Sequence, residues 1–326
     1  MRIKSFHINN YKSFYTSEEI QLSDGFNVIV GRNNVGKTAL AEALGFQIEN
    51  KFHKNLETVP YRGATPENGV SRLTIRFELG RDEFLDILKD QFVHTYVPVV
   101  SGIEESTQND RFLKILLSPI LIRCEVQSGN FASAYVDGYG QPENHSRALH
   151  YIIRRSDELP QFQGIDNNNS NTILELAKVL RTRVYFFKAE RLNVGQSQIG
   201  VNEILKPDAA NLPEVLNLLQ GRNPSRFRKL NQFIQLIFPE ITQITVPPMP
   251  ENASFARILV WSIDPDSERD DLAMPLSESG TGIGQVLSIL YVVLTSDYPR
   301  TIIIDEPQSF LHPGAIRKLF DILKQH

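Results

Sequence analysis

The chain has 326 residues, 41% hydrophobic and 22% charged, the composition of an ordinary soluble globular protein and enough for one large domain or two lobes sharing a core. A net charge of −4 excludes a global basic field drawing the chain onto nucleic acid, though not a local basic patch. The single cysteine, Cys124, excludes an internal disulfide framework, and no run approaches the ~18 apolar residues of a membrane span.

The N-terminus, Met1 to Phe6, has no uninterrupted apolar stretch of the kind a signal peptide needs, so the expected location is the cytoplasm. Ile3, Phe6 and Ile8 alternate with polar neighbours and predict a strand, followed by a loop through Asn10–Phe14. Asp24-Gly25 marks a turn. Phe26-Asn27-Val28-Ile29-Val30 predicts a short strand ending on Gly31, and Ala39, Leu40, Ala43 and Leu44 recur at helical spacing from Lys37 on. Leu73, Ile75, Phe77 and Leu79 predict another strand, and Asp82 opens a helix through Leu85, Ile87 and Leu88.

Residues 92–170 carry a weaker pattern, with strands expected only near Ile120–Val126 and Phe131–Val136. Cys124 lies in the first of these and reads as a small strand hydrophobe rather than a catalytic thiol. A polar loop at 166–171 leads to a helix at Thr172–Leu180 and a strand at Arg183–Phe187. Helices are expected at Leu212–Leu219 and Arg226–Ile237, a strand at Arg257–Ile263 and a charged turn at Glu268–Asp271. Gly280–Gly284 opens a helix through Val293, Thr301–Asp305 is a buried-type strand, and Pro313–Lys324 is a closing helix. There are no repeats and no sustained heptads.

Two motifs carry chemistry. Gly31-Arg32-Asn33-Asn34-Val35-Gly36-Lys37-Thr38 has the spacing of a phosphate loop between a strand and a helix. Two glycines let successive N–H groups face one anion, the helix N-terminus adds partial positive charge, Lys37 reaches the β and γ phosphates, and Thr38 is a natural Mg²⁺ ligand. The alternative is a glycine turn capped by a lysine-containing helix. Ile302-Ile303-Ile304-Asp305-Glu306-Pro307 ends an apolar strand in two acids: Asp305 for the metal, Glu306 to accept a proton from the attacking water. A solvated acidic turn is the alternative there.

Asn9–Phe14, the Gly31–Thr38 loop, Leu276–Gln285 and Asp305–Pro313, taken in order, resemble an ABC-type ATPase of the SMC/RecF/OLD group. Asn211–Leu216, Ile237–Ile241 and Phe186–Arg191 are similar to the stand-alone AAA-type proteins of the OLD branch. The resemblance implies an α/β, ABC-type P-loop NTPase head with a mixed β-sheet and an inserted α/β or helical region. Residues 1–80 would be the lobe with the phosphate loop, 81–200 an insert, and 201–326 the lobe with the signature and acidic pair. It implies ATP and Mg²⁺ as cofactors and a homodimer or higher oligomer sandwiching two ATPs, with one copy supplying the phosphate loop and acids and the other the signature loop. Nucleotide contacts would come from Arg32, Asn33, Asn34, Val35, Gly36, Lys37, Thr38 and Ala39, with Lys12 and Ser13 nearby. Ser277, Ser279, Gly280 and Gly282 would form the signature, and His312 would lie at the dimer interface. Thr38 and Asp305 would hold the metal, with Glu306 and Lys37 catalytic. A Gly-rich N-cap, a surface lysine and a helix-end histidine are the plainer readings of the signature, Lys12 and His312.

The resemblance further implies action on DNA in repair or anti-phage defence, with a nuclease or other effector as partner. Arg222, Arg226, Arg228 and Lys229 are the basic candidates; a solvated helix face is the plainer reading of them. The competing function is an ATP-dependent scaffold or sensor indifferent to DNA. The absence of heptads points to the compact RecF/OLD type. Members of the group continue past this point with another strand and a switch histidine; His326 comes too early for that role, so more chain is expected, and no TOPRIM nuclease is legible within 1–326.

Overall fold

The alternation at the N-terminus builds a ten-residue strand, β1 (Arg2–Tyr11), whose inward residues Ile3, Phe6 and Ile8 are buried. The computed structural model describes the chain except residues 50, 57, 60, 63–69, 101–102, 141–146, 189–193, 265–266, 268 and 326. Residues 189–191 of the OLD-like segment, Glu268 and His326 therefore lie outside the described residues. Contacts gather into two units, Met1–Val184 with Tyr298–Thr301, and Tyr185–Asp297 with Ile302–His326.

In the first unit β1 turns into β2 (Phe14–Thr16), pairs with β3 (Ile20–Gln21), and is followed by α1 (Lys37–Leu44), β4 (Arg72–Leu79) and α2 (Arg81–Gln91). Then come β5 (His94–Pro98), α3 (Glu105–Ile115), β6 (Ile120–Gln127), β7 (Asn130–Val136), β8 (Ala148–Ile152), β9 (Gln161–Asp166) and α4 (Thr172–Arg181). The main sheet runs β2-β1-β4-β6-β7, antiparallel in each pairing given by its register. Leu73, Ile75, Phe77 and Leu79 face its core with no exposed surface, and Cys124 is buried opposite Ile75. Burial pushes the Cys124 thiol well above its ordinary range, so it packs as a hydrophobe. A second sheet, β5-β8-β9, is reached by α4, which packs on β7, β6 and β5. Glu83 of α2 accepts from the Met1 ammonium and, at 2.7 Å, from Arg183, whose guanidinium lies over the Tyr298 ring; this ties Tyr298–Thr301 into the unit.

The second unit is helical at its centre. After β10 (Val184–Phe187) and β11 (Gln196–Gln198) come α5 (Leu212–Arg222), α6 (Pro224–Ile237), β12 (Gln243–Thr245), β13 (Pro248–Met249), β14 (Asn252–Arg257), β15 (Leu259–Trp261) and β16 (Met274–Pro275). The chain ends with α7 (Thr281–Thr295), β17 (Thr301–Ile304) and α8 (Pro313–Gln325). In α7 Val286, Leu287, Ile289 and Leu290 have no exposed surface, as expected of a helix that is apolar on all sides. Within this unit the Asp305 N–H donates to Phe187 O at 2.9 Å, holding the end of β17 beside β10.

Two expectations are corrected. The run Phe26–Val30 joins no ladder among the described residues, and Val28 and Val30 are 80% and 84% exposed. β-branched residues favour a pleated surface, but a strand exists only where another supplies the hydrogen bonds. The single strand expected at Arg257–Ile263 is two, because the chain changes sheets at Ile258: β14 pairs with β11 and β13, and β15 with β12 and β16.

Candidate nucleotide-binding site

The Gly31–Thr38 loop is built in the first unit by the junction into α1. Asn34 and Gly36 both have positive φ, 63° and 99°, and Gly36 is the N-cap of the helix. A side chain at Gly36 would be strained and crowded, since its Cβ would lie 3.0 Å from Ser13 Cβ and 3.1 Å from Phe14 Cε2. Gly36 is therefore the place where the β1–β2 turn abuts the loop, through Ser13 and Phe14. Gly31 is also close-packed, a Cβ there meeting Val35 Cγ2 at 3.0 Å.

The Lys37 ammonium lies over its own loop, donating to Gly31 O at 3.0 Å and Arg32 O at 2.8 Å. Arg32, Asn33, Asn34 and Val35 are exposed, as is Thr38, so the threonine hydroxyl is open to a ligand. The first-turn N–H groups of Lys37, Thr38 and Ala39 have no partner within the helix. Ala39 turns its methyl into the core and offers only its backbone. Several open donors, one ammonium and one exposed hydroxyl fit a polyphosphate with Mg²⁺, an ion that uses few protein ligands and completes its shell with phosphate and water. Among the described residues no group of three or more His, Cys, Asp or Glu converges as a metal cage.

Lys12 is more engaged than its sequence suggested. Its ammonium pairs with Glu42 of α1, and Tyr11 donates to the same Glu42 oxygen at 2.8 Å. The Lys12 N–H donates to Lys51 O and its carbonyl accepts from His53 Nδ1, each at 2.8 Å. Tyr11, Glu42 and His53 were not legible as site residues, because their partners lie between 30 and 41 positions away.

The acidic pair and the signature segment belong to the second unit. Asp305 is buried at the end of β17, while Glu306 is exposed with φ 45° and ψ 58°, a left-handed conformation unusual for a non-glycine residue. Leu276–Glu278 form a short 3₁₀ turn; Ser277 is exposed, whereas the Ser279 hydroxyl donates to Pro275 O at 3.1 Å. Gly280 caps α7 in extended conformation. Gly282 meets the chain after the acids so closely that a Cβ would overlap the Phe310 carbonyl oxygen and lie 3.1 Å from Leu311 Cδ2. Within one unit the signature helix thus starts directly on the segment that follows Asp305-Glu306. Gln285, one turn further, donates to Lys188 O at 2.8 Å. His312 is exposed, and its Nδ1 accepts the Gly314 N–H at 3.2 Å at the start of α8.

The basic candidates are partly engaged by their own unit. Arg222 lies 2.5 Å from Glu203, Arg226 lies 3.5 Å from Asp297, and the Lys229 ammonium lies over the Phe233 ring. Among the described residues no helix is long and apolar enough to cross a membrane.

Comparison with known families agrees with the first unit's geometry. Residues 1–118 match the family model of an AAA ATPase domain. No curated protein matches the chain. The family match takes in the phosphate loop, α1 and the Lys12 turn, stops before the signature and the acidic pair, and points to ATP binding and hydrolysis as the chemistry of the region it covers.

Proposed function

We propose that the chain binds Mg-ATP on Gly31–Thr38 and hydrolyses it in a head-to-head dimer, as an ABC-type head of the OLD branch. The observation that carries this reading is the start of α1, where a left-handed Gly36 delivers Lys37 and an exposed Thr38 hydroxyl to one loop. Lys37 would neutralise phosphate charge, and the resemblance assigns Thr38 and Asp305 as the residues that would hold Mg²⁺. The ion, when bound, supplies the remaining charge neutralisation at the phosphates. Glu306 accepts a proton from the attacking water. Ser277, Gly280 and the first turn of α7 in a second copy close the site, because a helix N-terminus favours an anion. Ser279, whose hydroxyl is held by Pro275, shapes that loop.

The proposed setting is DNA repair or anti-phage defence, with a separate nuclease or effector. Glu306→Gln should retain ATP, lose turnover and accumulate ATP-dependent dimers in sedimentation; normal turnover would remove Glu306 from the mechanism. A second reading, an ATP-assembled scaffold or sensor indifferent to DNA, is favoured by the pairing of the basic candidates Arg222 and Arg226 with Glu203 and Asp297 of their own unit. ATP turnover stimulated by duplex or broken DNA supports the first setting; ATP-dependent oligomers unaffected by DNA support the second.

A further inference from the structure

The turn against Gly36 carries a cation whose backbone is fixed and whose side chain has two possible destinations. Lys12 is the first residue of the two-residue connection between β1 and β2, with Tyr11 paired to Phe14, and it sits at φ 46°. Positive φ at this position is normally left to glycine, asparagine or aspartate, so a lysine here is held against a local preference. Segment 51–53 holds it: Lys51 O takes the Lys12 N–H, His53 Nδ1 donates to the Lys12 carbonyl, and the His53 N–H donates to Asn10 Oδ1 at 3.2 Å.

The ammonium is secured differently. It pairs with Glu42 Oε2 and lies 5.5 Å from the centre of the Tyr11 ring, at a partly exposed position. That same oxygen accepts the Tyr11 hydroxyl at 2.8 Å. Tyr11 is 1% exposed, and burial followed by the bond to Glu42 holds its phenol above the ordinary value, so it remains a donor. Glu42 therefore keeps a hydrogen bond when Lys12 departs, and no carboxylate is left unpaired. An ion pair of this kind, partly solvated and replaceable, holds a long side chain only weakly.

We propose that Glu42 and the nucleotide's polyphosphate compete for Lys12, making Glu42 a positioning residue that lowers the affinity of the phosphate loop. The proposal rests on the reading of Gly31–Thr38 as the ATP site. Its consequence runs against a merely structural role: neutralising Glu42 frees Lys12 and tightens binding.

The test is the Kd for Mg-ATP, by calorimetry on the full chain, for wild type, Glu42→Gln, Lys12→Ala and the double variant. Glu42→Gln, whose amide oxygen still accepts from Tyr11, should bind about threefold to tenfold more tightly. Lys12→Ala should bind more weakly, and the gain from Glu42→Gln should vanish in the double variant. Unchanged or weaker binding by a folded Glu42→Gln, or an equal gain without Lys12, overturns the competition. Tyr11→Phe supplies an opposite-signed check: Glu42 then depends on Lys12 alone, and affinity should fall; a rise would contradict the proposal. Lys37→Ala in the same assay separates the two failures. If it binds like wild type, the loop assignment is wrong; if it loses ATP while Glu42→Gln changes nothing, only the competition is wrong.

Discussion

Gly36 and Ser13 touch: a Cβ added to the glycine would lie 3.0 Å from that of the serine, at a backbone φ of +99°. The Gly31–Thr38 loop is thus shaped from outside by the β1–β2 turn as well as by its own glycines. Gly36→Ala should weaken Mg-ATP binding at least tenfold while costing about 1–3 kcal/mol of stability, since it adds left-handed strain and a close contact. Nucleotide binding and a denaturation curve on the same variant check both halves.

Gly282, in the first turn of α7, is likewise close-packed within the second unit. With a methyl there the start of α7 must move off the Phe310 carbonyl, at a cost of about 1–3 kcal/mol. Gly282→Ala should therefore lower the urea midpoint, whereas Gly280→Ala should not, because a Cβ on Gly280 meets nothing within 4 Å. Equal effects would remove the close packing from the account of the signature segment.

The pairing of β1 with β4 has a pH signature. Arg2, hydrogen-bonded to Glu78 across the two strands, holds that carboxyl below its ordinary value, with Lys4 adding to the effect. A carboxyl depressed by folding adds stability above its unfolded pKa and loses it as pH falls through the folded one. Glu78→Gln should lower the melting temperature by roughly 2 °C near neutral pH, and the difference should close in acid. A gap that persists at low pH would mean the loss is one of packing.

Much of the frame was legible where apolar spacing was dense. β4 alternates strictly, α1 places Ala39, Leu40, Ala43 and Leu44 inward, and α7 is apolar enough to be the centre of its unit. β5, β8, β9 and α3 were not legible. β9 is polar with a glycine at 164, and His94, Tyr96 and His150 fill the outer face of β5 and β8 with aromatic polar rings. Among the described side chains of α3 only Phe112 and Gln108 are buried, too sparse for a helical period to stand out.

The site divides the same way. The Gly31–Thr38 spacing is local chemistry and could be read directly; the grip of Glu42, Tyr11 and His53 on the Lys12 turn depends on tertiary pairing. Phe26–Val30 shows the opposite error, since its residues favour a strand but the ladder that would make one is not formed among the described residues.

The claim that Gly31–Thr38 is an ATP site is tested most directly by titrating Mg-ATP into wild type and Lys37→Ala in a calorimeter. Wild type should give a saturating isotherm, and Lys37→Ala, folded by circular dichroism, should give none over the same range. Equal affinity in the two proteins would contradict the account.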